Sequence, residues 1–254
     1  MNPHPRLAGL MAFNYTPPNP DWMRGAIDDL CAVCDDVFLL AEDYESDLLC
    51  SIRKSHDNIR TVMFAEHKSK PLWNDFTNHC LLMVEASRFQ CEWCLWLDHD
   101  ERLWPKADRD IVHNAVDDLQ RSPAIVTAML PWLTAWGDEQ NVRIDGKYLS
   151  KKKYFLQRNP FISPSIMFTS SPAIRLHDWP VQTGIQVFRN DFGVLHYGIM
   201  TPEQRQDRIT RYRHKDPANP KTYLISRTLE EFDEGTITKP LAEMKLTDYD
   251  QYEK

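Results

Sequence analysis

Short apolar runs alternate with amphipathic stretches through the first hundred residues, and this alternation constrains the fold more than any other feature of the chain. Residues 7–13, 37–40, 59–64 and 93–97 are apolar runs of four to seven residues bounded by polar or turn-forming positions, so they read as strands. Between the first two, Asp21 stands where a helix N-cap belongs, and Trp22, Ala26, Ile27 and Leu30 fall on one face of a helix that follows. Between the last two, Trp73, Phe76, Cys80, Met83 and Val84 form a second helical stripe within residues 73–89. Strands alternating with helices predict βαβ units: an α/β fold with a mostly parallel sheet flanked by helices. Further along, residues 108–119 read as a helix, 124–130 as a strand and 202–215 as a polar helix closed by Asp216-Pro217. Residues 131–200 mix aromatic, proline and basic residues without clean periodicity, as loops and edge strands do. The last thirty residues read as a helix with a frayed, acidic end.

The chain has 254 residues, 42 % hydrophobic and 26 % charged. That is the balance of a globular domain, with enough length for a core that needs no disulfide or metal staple, and it excludes disorder, fibre and coiled coil. No apolar run approaches the roughly 18 residues of a membrane-spanning helix, and residues 7–13 are too short and wrongly flanked for a signal peptide, so a cytoplasmic protein is expected. The net charge of −7 is unevenly spread: residues 1–140 carry −11, residues 141–225 carry +8 and residues 226–254 carry −4. A basic block of this size either meets an anionic partner or pairs with the acidic half of its own fold. All six cysteines lie within the first 94 residues, and Cys31/Cys34 and Cys91/Cys94 have C-x₂-C spacing. The gap between the pairs is far longer than in compact zinc ribbons and Cys94 sits inside an apolar run, so core thiols are expected rather than zinc or disulfides.

The chemistry is concentrated in Trp93-Cys94-Leu95-Trp96-Leu97-Asp98-His99-Asp100-Glu101. An apolar strand delivers three carboxylates, Asp98, Asp100 and Glu101, to its C-terminal end, where open α/β sheets bind their ligands. Clustered carboxylates repel one another unless a cation lies between them, and a hard divalent ion holding a diphosphate meets that need. An acidic turn paired with Arg102 is the plain structural alternative. Downstream, Val194-Leu195-His196-Tyr197-Gly198 reads as a second apolar strand ending in a histidine, followed by Thr201-Pro202-Glu203 and an arginine-rich helix.

In this order, residues 78–101 and 194–217 resemble the nucleotide-sugar glycosyltransferases of GT-A fold, of the large family 2 type, over about residues 5–217. The resemblance implies a Rossmann-like catalytic domain over residues 1–225, with a nucleotide-sugar half (1–105) and a looser acceptor half (106–225), and an acidic tail over 226–254. It implies that Asn14, Glu42 and Asp43 line the base and ribose pocket, that Asn78 belongs to the donor side, and that Asp98 contacts ribose or metal. Asp100 would be the main ligand of Mn²⁺ or Mg²⁺, with His196 completing the metal site or contacting the diphosphate. Arg158, Arg205 and Arg208 would neutralise the leaving diphosphate. An inverting transferase also needs a base for the acceptor hydroxyl; His177-Asp178 fits, making Asp178 the first choice, with Asp138 and Glu139 behind it. The chain departs here from the commoner Glu-Asp base motif. The implied activity is metal-dependent transfer of a sugar, from UDP in the first instance, to a hydroxyl on a glycan, a protein or a modified base in DNA. The competing classes are a non-catalytic GT-A-like binding protein and a metal-dependent nuclease or phosphotransferase.

Overall fold

The structure, a computed structural model, describes residues 6–13, 20–41, 47–64, 75–106, 108–145, 155–162, 168–169, 181–182, 184–215 and 228–246. The chain opens with β1 (Leu7–Phe13), α1 (Pro20–Val33), β2 (Asp36–Ala41), α2 (Asp47–Ser55), β3 (Ile59–Phe64), α3 (Asp75–Arg88) and β4 (Trp93–Trp96). There follow β5 (Glu101–Trp104), α4 (Arg109–Gln120), β6 (Ile125–Met129), β7 (Trp132–Trp136), β8 (Asp138–Arg143) and β9 (Leu156–Arg158). The last part holds β10 (Phe168–Thr169), β11 (Val181–Gln182), β12 (Ile185–Phe188), β13 (Gly193–His196), α5 (Pro202–Lys215), α6 (Leu229–Asp233) and β14 (Thr238–Pro240). None of the described helices is long and apolar enough to cross a membrane.

The central sheet has seven strands in the order β12-β6-β9-β4-β1-β2-β3. All its pairings are parallel except those of β9, which runs antiparallel between β4 and β6. The expected α/β class with a mostly parallel sheet is what the chain forms. Its inner strands are apolar on both faces because helices cover both. Leu7, Met11 and Phe13 of β1 join Val37 and Leu39 of β2 under Met23, Ile27 and Leu30 of α1. Ala8 and Leu10 join Phe38 and Leu40 under Leu82, Met83 and Ala86 of α3. Cys34 belongs to the α1 side, Cys91 and Cys94 to the α3 side. Burial pushes all three thiols up, Cys91 to about 12.

A second sheet, in the order β14-β8-β7-β13-β5, packs beside the first. Here β5 is antiparallel to β13, β13 is parallel to β7, and β7 and β8 form an antiparallel hairpin. One carboxylate fastens this sheet to α1. Asp29 accepts from Arg102 Nε and Nη2 at 2.7 and 3.0 Å and from the Leu103 N–H at 2.9 Å. Gly25, one turn earlier, leaves room for that guanidinium: a Cβ there would stand 2.2 Å from Arg102 Nη1.

The C-terminal residues depart from the expected helix. The capping box of Thr228 and Glu231 starts α6, but the helix stops at Asp233 and the chain returns as β14 to extend the second sheet beside β8. Leu241 and Met244 then pack with Leu133, Ala135 and Leu195.

Candidate active site

The chain leaves the first sheet at Trp96 and enters the second at Glu101, so residues 97–100 form the seam between the two. The seam is a tight turn, not a continuation of the strand. Glu101 N–H donates to the Asp98 carbonyl at 3.1 Å, and Asp98 N–H donates to Glu101 Oε2 at 2.8 Å. Glu101 is 1 % exposed and its Oε1 accepts from Trp132 Nε1 at 3.0 Å. Of the three carboxylates, Glu101 therefore folds inward to close the turn, and only Asp98 and Asp100 stay at the strand end.

Asp100 is brought to His196 by pairing of the two strands. His196 is the register partner of Glu101 across β13 and β5, and Tyr197 N–H donates to the Asp100 carbonyl at 2.8 Å. Asp100 Oδ2 lies 3.5 Å from His196 Nε2. The imidazole is 1 % exposed and rests on the Trp132 ring, centroids 4.7 Å apart. Burial by itself would raise the Asp100 carboxyl, but the charge and hydrogen bond of His196, with His99 and Arg208 beyond, hold it well below the usual carboxylate range.

The third partner comes from α5. Thr201 and Gln204 form a reciprocal cap, Gln204 N–H donating to Thr201 Oγ1 at 3.3 Å and Thr201 N–H to Gln204 Oε1 at 2.8 Å. The cap starts the helix just past Gly198, and its second turn carries Arg208, whose Nη1 lies 3.2 Å from His196 Nε2. A Cβ on Gly198 would stand 2.0 Å from Asp100 Oδ2 and 2.8 Å from His196 Nε2, so only glycine lets these atoms converge.

The pair fits a divalent ion. Ligand atoms about 2.1 Å from one metal stand about 3.0–3.4 Å apart, close to the separation of the carboxylate and imidazole. Among the described residues no three His, Cys, Asp or Glu side chains form a ready metal cage. An ion here would draw its remaining ligands from water and substrate phosphates, as Mg²⁺ sites commonly do.

The structure thus brings Asp100, His196 and Arg208 together, with Asp98 in the same turn as Asp100. Other expected residues lie elsewhere. Arg158, paired with Trp93 at the far end of β4, donates to Gln120 Oε1 at 2.6 Å and to the Ile125 carbonyl at 2.8 Å, with its guanidinium over the Trp93 ring. Arg205 is 3 % exposed, donates to the carbonyls of Ile199 and Met200, and pairs with Asp233 at 2.9 Å. Both cations are engaged in bonds within the protein. Glu139 accepts from Trp22 Nε1 at 2.9 Å on the α1 side of the second sheet, whereas His196 faces α5; Asp138 caps the turn of the β7–β8 hairpin through Gln140 N–H. Asn78 is buried in the first turn of α3. Asn14, Glu42, Asp43 and Asp178 lie outside the described residues. Sequence reading missed the roles of Glu101, Trp132 and Gly198; only Gly198 carried a signal, a glycine two residues past the histidine where a close approach is built.

No family model matches the chain, and no curated protein matches it. Among solved structures, the chain is similar to TarS residues 1–349 from S. aureus in complex with UDP, at 9 % identity and a TM-score of 0.43, over 83 % of this chain and 66 % of that one. It is also similar to the mannosyltransferase PcManGT from Pyrobaculum calidifontis in complex with GDP-Man and Mn²⁺, at 17 % identity and a TM-score of 0.36. That match covers 51 % of this chain and about a third, 36 %, of the mannosyltransferase. A third is 4-diphosphocytidyl-2C-methyl-D-erythritol synthase from Anaerococcus prevotii, at 14 % identity and a TM-score of 0.34, over 61 % and 68 % of the two chains.

Proposed function

We propose that the chain is a metal-dependent glycosyltransferase that moves a sugar from a nucleoside diphosphate, UDP first among the candidates, to an acceptor hydroxyl with inversion. The observation that carries this reading is the convergence of Asp100, His196 and Arg208 at the C-terminal end of β4. Two metal-ligating atoms and one guanidinium meet there, at the end of a parallel sheet where α/β folds bind nucleotides.

Departure of a nucleoside diphosphate builds negative charge on the leaving oxygen, and preformed positive charge at that place lowers the barrier. Asp100 and His196 would hold Mn²⁺ or Mg²⁺, which when bound supplies Lewis-acid stabilisation of the diphosphate. Asp100, held well below the usual carboxylate range, is ionised at neutral pH, and His196 would ligate in its neutral form. Arg208 faces the same space and offers guanidinium donors to phosphate oxygens. Asp98, in the same turn, would contact the ribose or the metal, with Asn14, Glu42, Asp43 and Asn78 on the donor side. Since Glu139 is engaged by Trp22, Asp178 is the proposed proton acceptor for the incoming hydroxyl. The +8 block over residues 141–225 suits an anionic acceptor, and DNA bearing a hydroxylated base belongs in the acceptor screen.

The test is thermal unfolding with nucleoside diphosphates and their sugars, each with and without Mn²⁺, on wild type and Asp100→Ala. A native-state ligand at 100 times its Kd adds about 2.7 kcal/mol. The expected result is a Mn²⁺-dependent shift with one nucleotide, absent in Asp100→Ala, together with slow Mn²⁺-dependent donor hydrolysis. No shift with any nucleotide overturns the reading.

A further inference from the structure

Glu101 follows Asp100 directly, yet its carboxylate is buried and bonded within the protein. It touches both supports of the Asp100–His196 pair. Oε2 accepts the Asp98 N–H at 2.8 Å and so closes the turn that presents Asp100. Oε1 accepts Trp132 Nε1 at 3.0 Å, and the Trp132 ring carries the His196 imidazole at 4.7 Å between centroids and 40° between planes. One side chain, 1 % exposed, thus connects the carboxylate's turn with the imidazole's platform. Burying a carboxylate costs more than burying an apolar side chain of its size, so stability alone does not select glutamate here. What glutamate offers is an acceptor on each oxygen, with two N–H donors to hold; an amide of the same shape can accept on only one side.

From this geometry we infer that Glu101 is a positioning residue that, through the Asp98 N–H and through Trp132, sets the approach of Asp100 to His196 and thereby the affinity of the pair for a divalent cation. The inference rests on the metal-assisted reading above and adds to it a residue that neither ligates nor contacts substrate. Groups that orient metal ligands from behind change metal affinity by about 10- to 100-fold when altered.

The experiment titrates Mn²⁺ alone into the full chain, following free Mn²⁺ by electron paramagnetic resonance, for wild type, Asp100→Ala, Glu101→Gln, Trp132→Phe and the Glu101→Gln/Trp132→Phe double variant. Metal-free thermal unfolding is recorded for each. Wild type is expected to bind and Asp100→Ala to lose binding. Glu101→Gln should bind about 10- to 100-fold more weakly. Trp132→Phe keeps the ring under His196 but loses the bond to Oε1, so it should weaken binding by a smaller factor with little change in unfolding temperature. The double variant should bind no more weakly than Glu101→Gln, because both substitutions cut one link. Lowered unfolding temperatures with wild-type Mn²⁺ affinity in the folded molecules would mean a structural role only and overturn the inference. If Glu101→Gln does not fold, Trp132→Phe decides, and wild-type affinity there overturns it. Wild type failing to bind Mn²⁺ removes the metal-assisted reading and this inference together; binding by wild type but not by Asp100→Ala, with no effect at Glu101 or Trp132, removes this inference alone.

Discussion

The space a side chain on Gly198 would need is the space the Asp100 carboxylate holds: a Cβ there would lie 2.0 Å from Oδ2. Gly198→Ala should therefore push the carboxylate off His196. The expected outcome is loss of Mn²⁺-dependent donor binding together with a lowered unfolding temperature, since the carboxylate and imidazole it separates also stabilise the fold. Calorimetric titration of Mn²⁺ and nucleoside diphosphate into the variant checks this, and unchanged affinity would remove Gly198 from the site.

Arg208 tests the charge requirement apart from the metal. Its guanidinium meets His196 Nε2 at 3.2 Å from the second turn of α5. Arg208→Ala should lower donor turnover about 10²–10³-fold, the usual loss when one stabilising donor is removed from a developing anion. Mn²⁺ binding should persist, because the two ligating atoms remain. Steady-state kinetics beside Mn²⁺ titration separate the two effects.

Gly25→Ala sets two effects of opposite sign against each other. Alanine in a helix interior is favoured over glycine by about 1 kcal/mol. The new Cβ would meet Arg102 Nη1 at 2.2 Å and drive the guanidinium from Asp29, breaking charge-assisted bonds worth about 1.5–3 kcal/mol. The contact wins, so the variant should be less stable by about 1 kcal/mol. Asp29→Ala, which also strands the Leu103 N–H, should lose more. Urea denaturation orders the three proteins, and a stabilised Gly25→Ala would show that the guanidinium moves without cost.

The depressed Asp100 carboxyl gives stability a definite pH dependence. A carboxyl held below its unfolded value contributes fully above that value, about 4, and the contribution disappears as pH falls through the lowered folded value. Asp100→Asn lacks this term. The difference between wild type and Asp100→Asn should shrink as pH falls below 4 and the carboxyl protonates, while nearer neutrality it follows the charge on His196, the main partner that holds the carboxyl down. Thermal unfolding across that range reads it directly; a difference unchanged between pH 4 and 2 would show that the Asp100 carboxyl does not contribute.

Thiol reactivity should follow burial. Cys50 is exposed on α2, whereas burial raises Cys31 and Cys91 to about 12 and Cys80 to about 11. With iodoacetamide at pH 8, Cys50 should react first, and Cys34, Cys91 and Cys94 only after unfolding. Mass spectrometry of peptides from a time course gives the order.

Most of the first sheet is legible because its strands and helices have opposite periodicities. β1, β2, β3 and β4 are short apolar runs, α1 and α3 keep apolar stripes, and α5 ends where Asp216-Pro217 lies. The second sheet is much less legible. Glu101-Arg102-Leu103-Trp104 shows no polar–apolar alternation, so the sequence carries no strand signal there, and its identity is fixed by antiparallel pairing with β13, about ninety residues away. The same holds for β9, whose place between β4 and β6 is a matter of tertiary pairing alone. At the site, sequence reading identifies acids and bases by type but not by direction. Asp100 and Glu101 look equivalent in the sequence, yet one faces His196 and the other Trp132 Nε1. Arg205 and Arg208 share a helix, and a difference of three residues sends one to Asp233 and the other to His196.

The seam at residues 97–100 bears on how the molecule moves. Two sheets joined by a long linker can open and close on a ligand as rigid bodies, with the linker as hinge. Here four residues join β4 to β5, and their backbone is tied from Glu101 to Asp98 and from Tyr197 to Asp100. A turn so short and so bonded leaves few dihedrals to absorb a rotation, so it resists movement of one sheet against the other. If the Asp100–His196 pair takes a ligand, the fold would admit it without opening one sheet against the other.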